Sequence, residues 1–435
     1  HLRRRCYLLY HSTEEFCFLM LALVDMNSSF SSIEQIFRPD LRDKPVIVAS
    51  NNDAAVVARS KEAKELGVPA FVPIFQIKDL IAAQNIHTFS SNYELYGDIS
   101  SRFSSLLSQF CLEIERYSID ECFCNISGDP DPLKTAFLMK TEVWRQQRIP
   151  VCVGVSHTKT LAKLANYLAK KSLKLNGVCL LDQLDHWEKV FKKVTVGNVW
   201  GVGTRTSNRL ALWGIYSVQD LRSQPTKRIR KEFGVTLERT VCELNGERCF
   251  ELETQPPPKK EIISSRSFSH KVTSFDDIKQ SVADHSMRVS EKLRKQNSLA
   301  GAVYVMLHTS RFAEHRYHRS AYIQLPYPTN DSRIIIENAA KVLRELFKPG
   351  YLYAKSGVGL FDLINNRNQQ SDLFQIGQSE NAYKLMSVID NINYRYGRGH
   401  VFIGAQGTEK TWPMSRRFKS PSYTTRFSDI PIIKI

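Results

Sequence analysis

Two adjacent carboxylates, Asp120 and Glu121, interrupt the otherwise apolar and β-prone run RYSIDECFCNISG, residues 116–128. Charged groups are costly to place among such residues unless they are paired or bind a metal ion. A third carboxylate, Asp25, ends the apolar run MLALVD, which is predicted to be a buried strand. Three carboxylates that meet at one edge of a sheet can hold two Mg²⁺ ions. Paired metals can activate an attacking hydroxyl and neutralise a leaving pyrophosphate.

The spacing of Asp120 and Glu121 raises a geometric difficulty. Adjacent residues on a regular strand point to opposite faces, so these two can share a metal centre only where the backbone twists or turns. The alternative is a pair of solvated carboxylates at a hairpin, and the motif alone leaves both interpretations open.

Cations elsewhere in the chain suit phosphate groups. Lys64 and Lys170 are candidate triphosphate ligands because lysine serves phosphate as a point charge, although solvated lysines would look the same. The glycines in VWGVGTRTSNRLALWGI, Gly201 and Gly203, precede a predicted helix that begins near Arg205. They leave backbone N–H groups that can bind a DNA phosphate without reading sequence, as in a helix-hairpin-helix motif; a plain glycine turn is the alternative.

The chain that must position these groups has 435 residues, which predicts about two to four domains. Its net charge of +16 favours a polyanionic partner, most simply nucleic acid. Nine cysteines without a CxxC pair predict free thiols in a reducing cytoplasm and no zinc site. No stretch approaches the roughly 18 apolar residues of a membrane span.

The hydrophobic pattern predicts strands and helices in alternation. Strands are expected at 20–25, 44–50, 116–128 and 149–156, and helices at 92–112, 134–148, 157–171 and toward the end of 53–67. This order is typical of an α/β or α+β sheet domain. A basic, helical region at 185–250 follows, then the exposed linker ETQPPPKKE. Residues 262–363 read β-α-β-β-α-β, a ferredoxin-like unit.

Taken together, these stretches resemble the Y-family translesion DNA polymerases, and more narrowly the bacterial polymerase V branch of that family. The matching segments span about residues 20 to 435. In chain order they are DMNSSFSSIEQIFRPDLRDKPVIVASNND, EAKELGV, FSSNYELYGDIS, YSIDECF, TKTLAKLAN, VWGVG, EIISSRSF, GRGHVFIGAQG and SPSYTTRFSDI.

The resemblance assigns roles to individual residues. Asp25, Asp120 and Glu121, with the Met26 carbonyl, match the family's ligands for two Mg²⁺ ions, and the family's SIDE motif lies at a tight hairpin. Phe30 matches the steric gate that crowds a ribose 2′-OH, although a core aromatic also fits its helical pattern. Lys64 and Lys170 fall where the family contacts the triphosphate.

The implied fold is an α+β multidomain, right-hand polymerase. Its expected parts are a non-native or disordered extension (1–19), a palm with inserted fingers (20–184, fingers about 38–89), a helical thumb with the helix-hairpin-helix (185–252), a linker (253–261), a ferredoxin-like little finger (262–364), and a clamp-binding peptide with a C-terminal region (365–435). In the thumb, Gly201, Gly203 and Arg205 are expected to contact DNA, and in the little finger Arg266 and Lys271.

The resemblance also implies partners. These are primer-template DNA, dNTP, a UmuD′ dimer and the RecA filament, with UmuD contact expected after about residue 375. QSDLF resembles the peptide that docks on the sliding clamp, with Gln370, Leu373 and Phe374 as its contacts. The implied activity is error-prone translesion synthesis in the SOS response, at the nucleoid in a bacterial cytoplasm.

Three residues depart from the family pattern. Ala54 and Ala55 stand where the family often has Gly-Cys, so the family's lesion preference is not carried over to this chain. Ser29 replaces an aromatic, which is expected to loosen local packing. Two other functions fit parts of the pattern. A non-catalytic DNA-binding accessory subunit would use the hairpin and the clamp peptide, but would not need the three carboxylates. A metal-dependent nuclease would need the metals, but not the sugar gate at Phe30.

Overall fold

The computed structural model describes residues 20–366, 377–409, 414–430 and 432. The chain forms two units. The first contains the described residues up to Val48, Val56–Pro256 and those from Lys419 onward, and the second contains Ala49–Ala55 and Pro257–Phe418. Both combine helices with sheet, as an α+β fold requires. Among the described residues, no helix is long and apolar enough to cross a membrane.

The elements before the linker build a five-stranded sheet in the order β5-β6-β1-β7-β8 and a three-stranded sheet in the order β3-β2-β4. In chain order they are β1 (Leu21–Met26), α1 (Ser29–Phe37), β2 (Val46–Ala49), β3 (Val56–Arg59), α2 (Lys61–Glu65), α3 (Lys78–Ala83), β4 (His87–Ser90), α4 (Tyr93–Leu107), β5 (Glu113–Arg116), β6 (Glu121–Asn125), α5 (Pro132–Gln147), β7 (Val151–Ser156), α6 (Lys159–Lys171), β8 (Val178–Leu181), α7 (Glu188–Phe191), α8 (Thr204–Ala211), α9 (Val218–Arg222), α10 (Thr226–Phe233) and α11 (Val235–Leu244).

The sequence explains why the five-stranded sheet has a fixed core. Every residue of β1 is buried, and β1 pairs antiparallel with both β6 and β7. Helix α6 begins after Thr158, whose side chain accepts a hydrogen bond from Leu161 N. Its buried face contains Leu161, Leu164, Ala165 and Leu168, the four positions predicted to share one side.

The second unit follows the predicted β-α-β-β-α-β order. Its elements are β9 (Ile262–Val272), α12 (Phe275–Lys295), β10 (Ser298–Thr309), β11 (His318–Thr329), α13 (Ser332–Leu346), β12 (Tyr353–Asn365) and α14 (Glu380–Tyr396). The strand order β11-β10-β12-β9 places one antiparallel strand between the two strands of each β-α-β unit. The segments β9-α12-β10 and β11-α13-β12 are therefore both split β-α-β motifs.

Several local predictions differ from the structure. Residues 56–59 form β3, because Val56 and Val57 favour a strand, and the following helix α2 starts only after the Ser60 cap. The predicted strand at 116–128 is a turn followed by β6. Asn92 caps α4 rather than belonging to it, and α4 ends at Leu107. Helix α14 was not predicted.

Candidate active site

Two of the three carboxylates are direct cross-strand neighbours. Asp25 on β1 lies opposite Glu121 on β6 in the antiparallel register. Strand β5 ends at Arg116 and β6 begins at Glu121, so Asp120 belongs to the turn between them. Met26 N donates to the Asp120 carbonyl at 2.9 Å, which holds the turn against the end of β1. Because Asp120 lies in the turn and Glu121 in the strand, the two adjacent carboxylates are not bound to the strict alternation of a regular strand.

Asp120 is oriented by two serines. Its Oδ2 accepts a hydrogen bond from Ser29 Oγ at 2.9 Å, and its Oδ1 accepts one from Ser118 Oγ at 2.7 Å. Ser118 Oγ in turn accepts from Glu121 N, which closes the turn. Ser29 is buried at the first residue of α1. The small side chain of Ser29 therefore connects α1 to the carboxylate turn.

Buried negative charge is concentrated at this edge of the sheet. Burial raises the pKa of Asp25, Lys170 lowers it and the neighbouring Glu121 raises it, and together these effects place it at about 7. Lys170 Nζ lies 2.6 Å from Asp25 Oδ1, and Lys163 Nζ lies 3.0 Å from Glu121 Oε2. In the structure, two ammonium groups thus neutralise two carboxylates that face each other.

These oxygen donors fit a hard divalent cation, which would relieve the unfavourable ionisation of Asp25 beside Glu121. Asp120 faces its serine partners, and the carboxylate oxygens of Asp25, Asp120 and Glu121 do not all lie within 4.8 Å of one another. Within the described ranges, the one group of three His, Cys, Asp or Glu side chains whose ligand atoms are that close consists of Cys242, Glu247 and Cys249. Burial raises the pKa of both of those thiols, which disfavours the thiolates that zinc needs.

Lys64 is near Asp25 and two further cations, Lys170 and Arg59. Lys64 Nζ donates to Ser28 Oγ at 2.6 Å. Burial lowers the pKa of Lys64, and the positive charges of Arg59 and Lys170 lower it further. The structure therefore brings the two predicted lysines together and adds Arg59, which the sequence reasoning missed. Three cations beside buried carboxylates suit a polyanion such as a triphosphate.

Phe30 is half-buried and has two aromatic partners. Its ring stacks on Tyr96 with centroids 4.5 Å apart, and Tyr93 meets its edge at 5.8 Å. Phe30 therefore packs against the core, as the alternative interpretation expected, while part of its ring remains accessible. Both partners lie at the start of α4, far from Phe30 in sequence.

The glycine hairpin is joined to the carboxylate turn. Gly201 has a φ of 84°, which favours glycine, while Gly203 precedes α8 and Arg205 is exposed in its first turn. Trp200 Nε1 donates to the Tyr117 hydroxyl at 3.1 Å. Lys163 Nζ lies 4.4 Å from the centre of the Tyr117 ring. The sequence analysis did not identify Lys163, Tyr117 or Trp200 as site residues. Lys163 lies two helical turns before Lys170 on α6, and this spacing could have indicated that both lysines face the carboxylates.

The predicted DNA contacts of the second unit differ in their placement. Arg266 pairs with Ser356 and shares its side of the sheet, where Ser356 Oγ bonds Ser281 Oγ of α12. Arg266 therefore lies on the helix-covered face of the sheet and is partly buried. Lys271 is exposed. The clamp-peptide residues Gln370, Leu373 and Phe374 lie outside the described residues, as do residues 1–19.

The two alanines that depart from the family pattern occupy the loop after β2. Ala54 has φ −83° and ψ −42°, ordinary right-handed values, so this position requires no glycine. Left-handed backbone occurs instead at Asn52 and Asp53. Asn52 Nδ2 donates to the Ser267 carbonyl at 3.0 Å within the second unit. The loss of a glycine at residue 54 therefore introduces no backbone strain.

Three family models match the chain. The impB/mucB/samB family matches residues 24–167, and the impB/mucB/samB family C-terminal domain matches residues 259–373. A domain of unknown function, DUF4113, matches residues 383–433. The first match includes all three candidate metal-binding carboxylates.

Several relatives align over nearly the whole chain. Protein UmuC of Salmonella typhimurium is 41% identical over 95% of this chain and 100% of its own length. Protein MucB of Escherichia coli is 40% identical over 96% of this chain and 100% of its own length. DNA polymerase IV of Pelotomaculum thermopropionicum is 27% identical over 88% of this chain and 94% of its own length.

Solved structures share the fold. The Y-family DNA polymerase chimera Dbh-Dpo4(243-245)-Dbh superposes with a TM-score of 0.65 at 21% identity, covering 80% of this chain and 100% of that one. DinB from Sulfolobus solfataricus superposes with a TM-score of 0.50 at 21% identity, covering 79% of this chain and 98% of that one. The α+β multidomain polymerase fold expected from the sequence is confirmed.

Proposed function

Because the chain belongs to the impB/mucB/samB family of Y-family polymerases and is a DNA-directed DNA polymerase, we propose that it performs error-prone translesion synthesis in the SOS response, transferring a dNMP to a primer 3′-hydroxyl opposite damaged bases. The observation that carries this proposal is the pairing of Asp25 with Glu121 across β1 and β6, with Asp120 in the adjoining turn. A non-catalytic accessory subunit would not need this buried charge.

Metal dependence with divalent cations is a property of this family of enzymes. Asp25, Asp120, Glu121 and the Met26 carbonyl would hold two Mg²⁺ ions in the proposed mechanism. Held by these residues, the ions would supply a lowered pKa for the attacking hydroxyl and neutralisation of the leaving pyrophosphate. Ser29 and Ser118 orient the Asp120 carboxylate, and Lys163 and Lys170 neutralise Glu121 and Asp25.

The remaining residues would position the substrates. Lys170 pairs with Asp25, and Lys64 interacts with the charges of Lys170, Arg59 and Asp25; these three cations would orient the triphosphate. The accessible part of the Phe30 ring would exclude a ribose 2′-hydroxyl. The exposed N–H groups before α8, with Gly201, Gly203 and Arg205, would bind a phosphate of the primer-template duplex.

The domain roles and partners are part of the same proposal. The five-stranded sheet would be the palm, the elements from β2 to β4 the fingers, the helices α7–α11 the thumb and the four-stranded sheet the little finger. Lys271 would contact a DNA phosphate from the little finger. The sliding clamp would bind residues 370–374, and a UmuD′ dimer and the RecA filament would act with the enzyme at the bacterial nucleoid.

The direct test is primer extension across an abasic site with purified protein, Mg²⁺, dNTPs, UmuD′ and RecA. The wild type is expected to extend, and Asp120→Asn/Glu121→Gln is expected to bind DNA without extending. The matched control is Asp276→Asn/Asp277→Asn, another adjacent acidic pair, at the start of α12. Equal extension by wild type and Asp120→Asn/Glu121→Gln would remove the carboxylates from the mechanism, and DNA binding with no extension by the wild type would favour the accessory role.

A further inference from the structure

One face of α1 contains the candidate sugar gate, Phe30, and two further side chains, Glu34 and Phe37. The three residues are spaced i, i+4 and i+7, so they lie on successive turns of the same face. The ring of Phe37 stacks on Tyr423 with centroids 4.6 Å apart and planes 12° from parallel. Glu34 Oε1 accepts hydrogen bonds from the Tyr96 hydroxyl at 2.6 Å and from Ser420 Oγ at 3.0 Å.

The partners Ser420 and Tyr423 belong to the segment Lys419–Asp429, here named the C-terminal strap, in the first unit. The strap is also bound to the start of α4. Asn92 Nδ2 donates to the Ser420 carbonyl at 3.1 Å and to Ser420 Oγ at 3.0 Å, and Lys419 Nζ pairs with Glu94 Oε2 at 2.6 Å. Ser420 and Asn92 are both buried.

These contacts meet at Tyr96. Its ring is fully buried and stacks on Phe30, while its hydroxyl is held by Glu34, the same carboxyl that Ser420 contacts. Glu34 Oε2 is buried and, in the part of the chain that the structure describes, has no hydrogen-bond partner. The position of this carboxyl therefore depends on the two hydroxyls at Oε1. Ser420 is thus connected to the Phe30 ring by consecutive contacts through Glu34 and Tyr96.

We propose that the C-terminal strap positions the Phe30 ring through Glu34 and Tyr96 and so sets how strongly the polymerase rejects ribonucleotides. This inference rests on the proposed function, because it assumes that Phe30 crowds the 2′-hydroxyl. It assigns a role to part of the segment matched by the domain of unknown function. Ser420 and Tyr423 act as positioning residues, since neither contacts the candidate site directly.

The test compares Ser420→Ala and Tyr423→Ala with two controls from the same strap. Ser428→Ala removes an exposed serine hydroxyl, and Phe427→Ala removes a ring that is 93% exposed. The readout is the ratio of kcat/KM for dCTP to that for CTP, with Phe30→Ala as the reference for an open gate. The ratio is expected to fall roughly three- to tenfold in the two test variants, as for loss of one buried hydrogen bond or ring contact, and to stay unchanged in both controls.

Two results would overturn the inference. One is an unchanged dCTP/CTP ratio in Ser420→Ala and Tyr423→Ala while Phe30→Ala accepts CTP; a lower melting temperature alone would then show a merely structural strap. The other is unchanged hydrogen-exchange protection of residues 29–37 and 93–96 in both test variants, which needs no polymerase activity. Failure of the wild type to insert even dCTP is a different outcome, because it contradicts the proposed function itself.

Discussion

Asp25 and Glu34 are two buried carboxyl groups in one unit, and burial raises the pKa of each to about 7. Their surroundings differ. Asp25 faces another carboxylate, Glu121, and the ammonium group of Lys170, whereas Glu34 faces the hydroxyls of Tyr96 and Ser420. The comparison shows that burial alone does not identify a metal ligand.

The partners decide what each carboxyl can do. A carboxylate beside a second carboxylate and a cation is placed to exchange that cation for another positive charge. A carboxyl held by neutral donors is best accommodated as the uncharged acid, which fixes its neighbours in place. Asp25 is accordingly the candidate catalytic group, and Glu34 is a structural acid between α1, α4 and the C-terminal strap.

The largest expected difference between the two carboxyls is in activity. Asp25→Asn removes a charge that would hold a divalent cation, so kcat/KM for dNTP insertion should fall on the order of 10³-fold. Glu34→Gln keeps the oxygen that accepts both hydroxyls and should change dNTP insertion by less than about threefold. Single-nucleotide insertion kinetics on an undamaged template measure both. Similar losses of kcat/KM in the two variants would contradict the different roles assigned to Asp25 and Glu34.

Stability should separate them through pH. The folded-state pKa of Glu34, about 7, lies above its ordinary value of 4.5, so its contribution to stability is fully present below pH 4.5 and is lost as the pH rises through 7. Glu34→Gln cannot ionise. Its stability relative to wild type should therefore increase between pH 5 and pH 8, by up to about 3 kcal/mol. Chemical denaturation at the two pH values measures this; a constant difference would show that Glu34 is not a buried neutral acid.

A smaller effect concerns the cation beside Asp25. Lys170→Ala should raise KM for dNTP roughly tenfold, because one point charge near the triphosphate is lost. The pKa of Asp25 should also rise, since Lys170 lowers it, and the pH–rate profile should move to higher pH. Lys171→Ala is the matched control, because Lys171 is the next residue of α6 and contacts Tyr167 instead. Equal effects of the two substitutions would contradict the assignment of Lys170.

Local patterns predicted the carboxylate half of the site. The apolar run that ends on Asp25 is readable from neighbouring residues, whereas the strand predicted over residues 116–128 begins only at Glu121. The side on which Arg266 lies is also readable from the sequence, because Arg266 shares one side of β9 with Ile262, Ser264 and Phe268.

Contacts between distant segments could not be predicted in the same way. Ser29 donates a hydrogen bond to Asp120, which is 91 residues away in the sequence, and Ser420 donates one to Glu34, which is 386 residues away. Each of these serines is short and polar, and nothing in its local pattern distinguishes it from a surface residue. The C-terminal strap is therefore visible only once the chain is folded.

The central claim is that Asp25 near the end of β1, Asp120 in the β5–β6 turn and Glu121 at the start of β6 hold divalent cations. The most direct measurement is Mn²⁺ binding, followed by electron paramagnetic resonance, to the wild-type chain and to Asp120→Asn/Glu121→Gln. We predict saturable binding to the wild type, competition by Mg²⁺, and an affinity at least about tenfold lower in the variant. Equal affinities for Mn²⁺ in the two proteins would contradict the account.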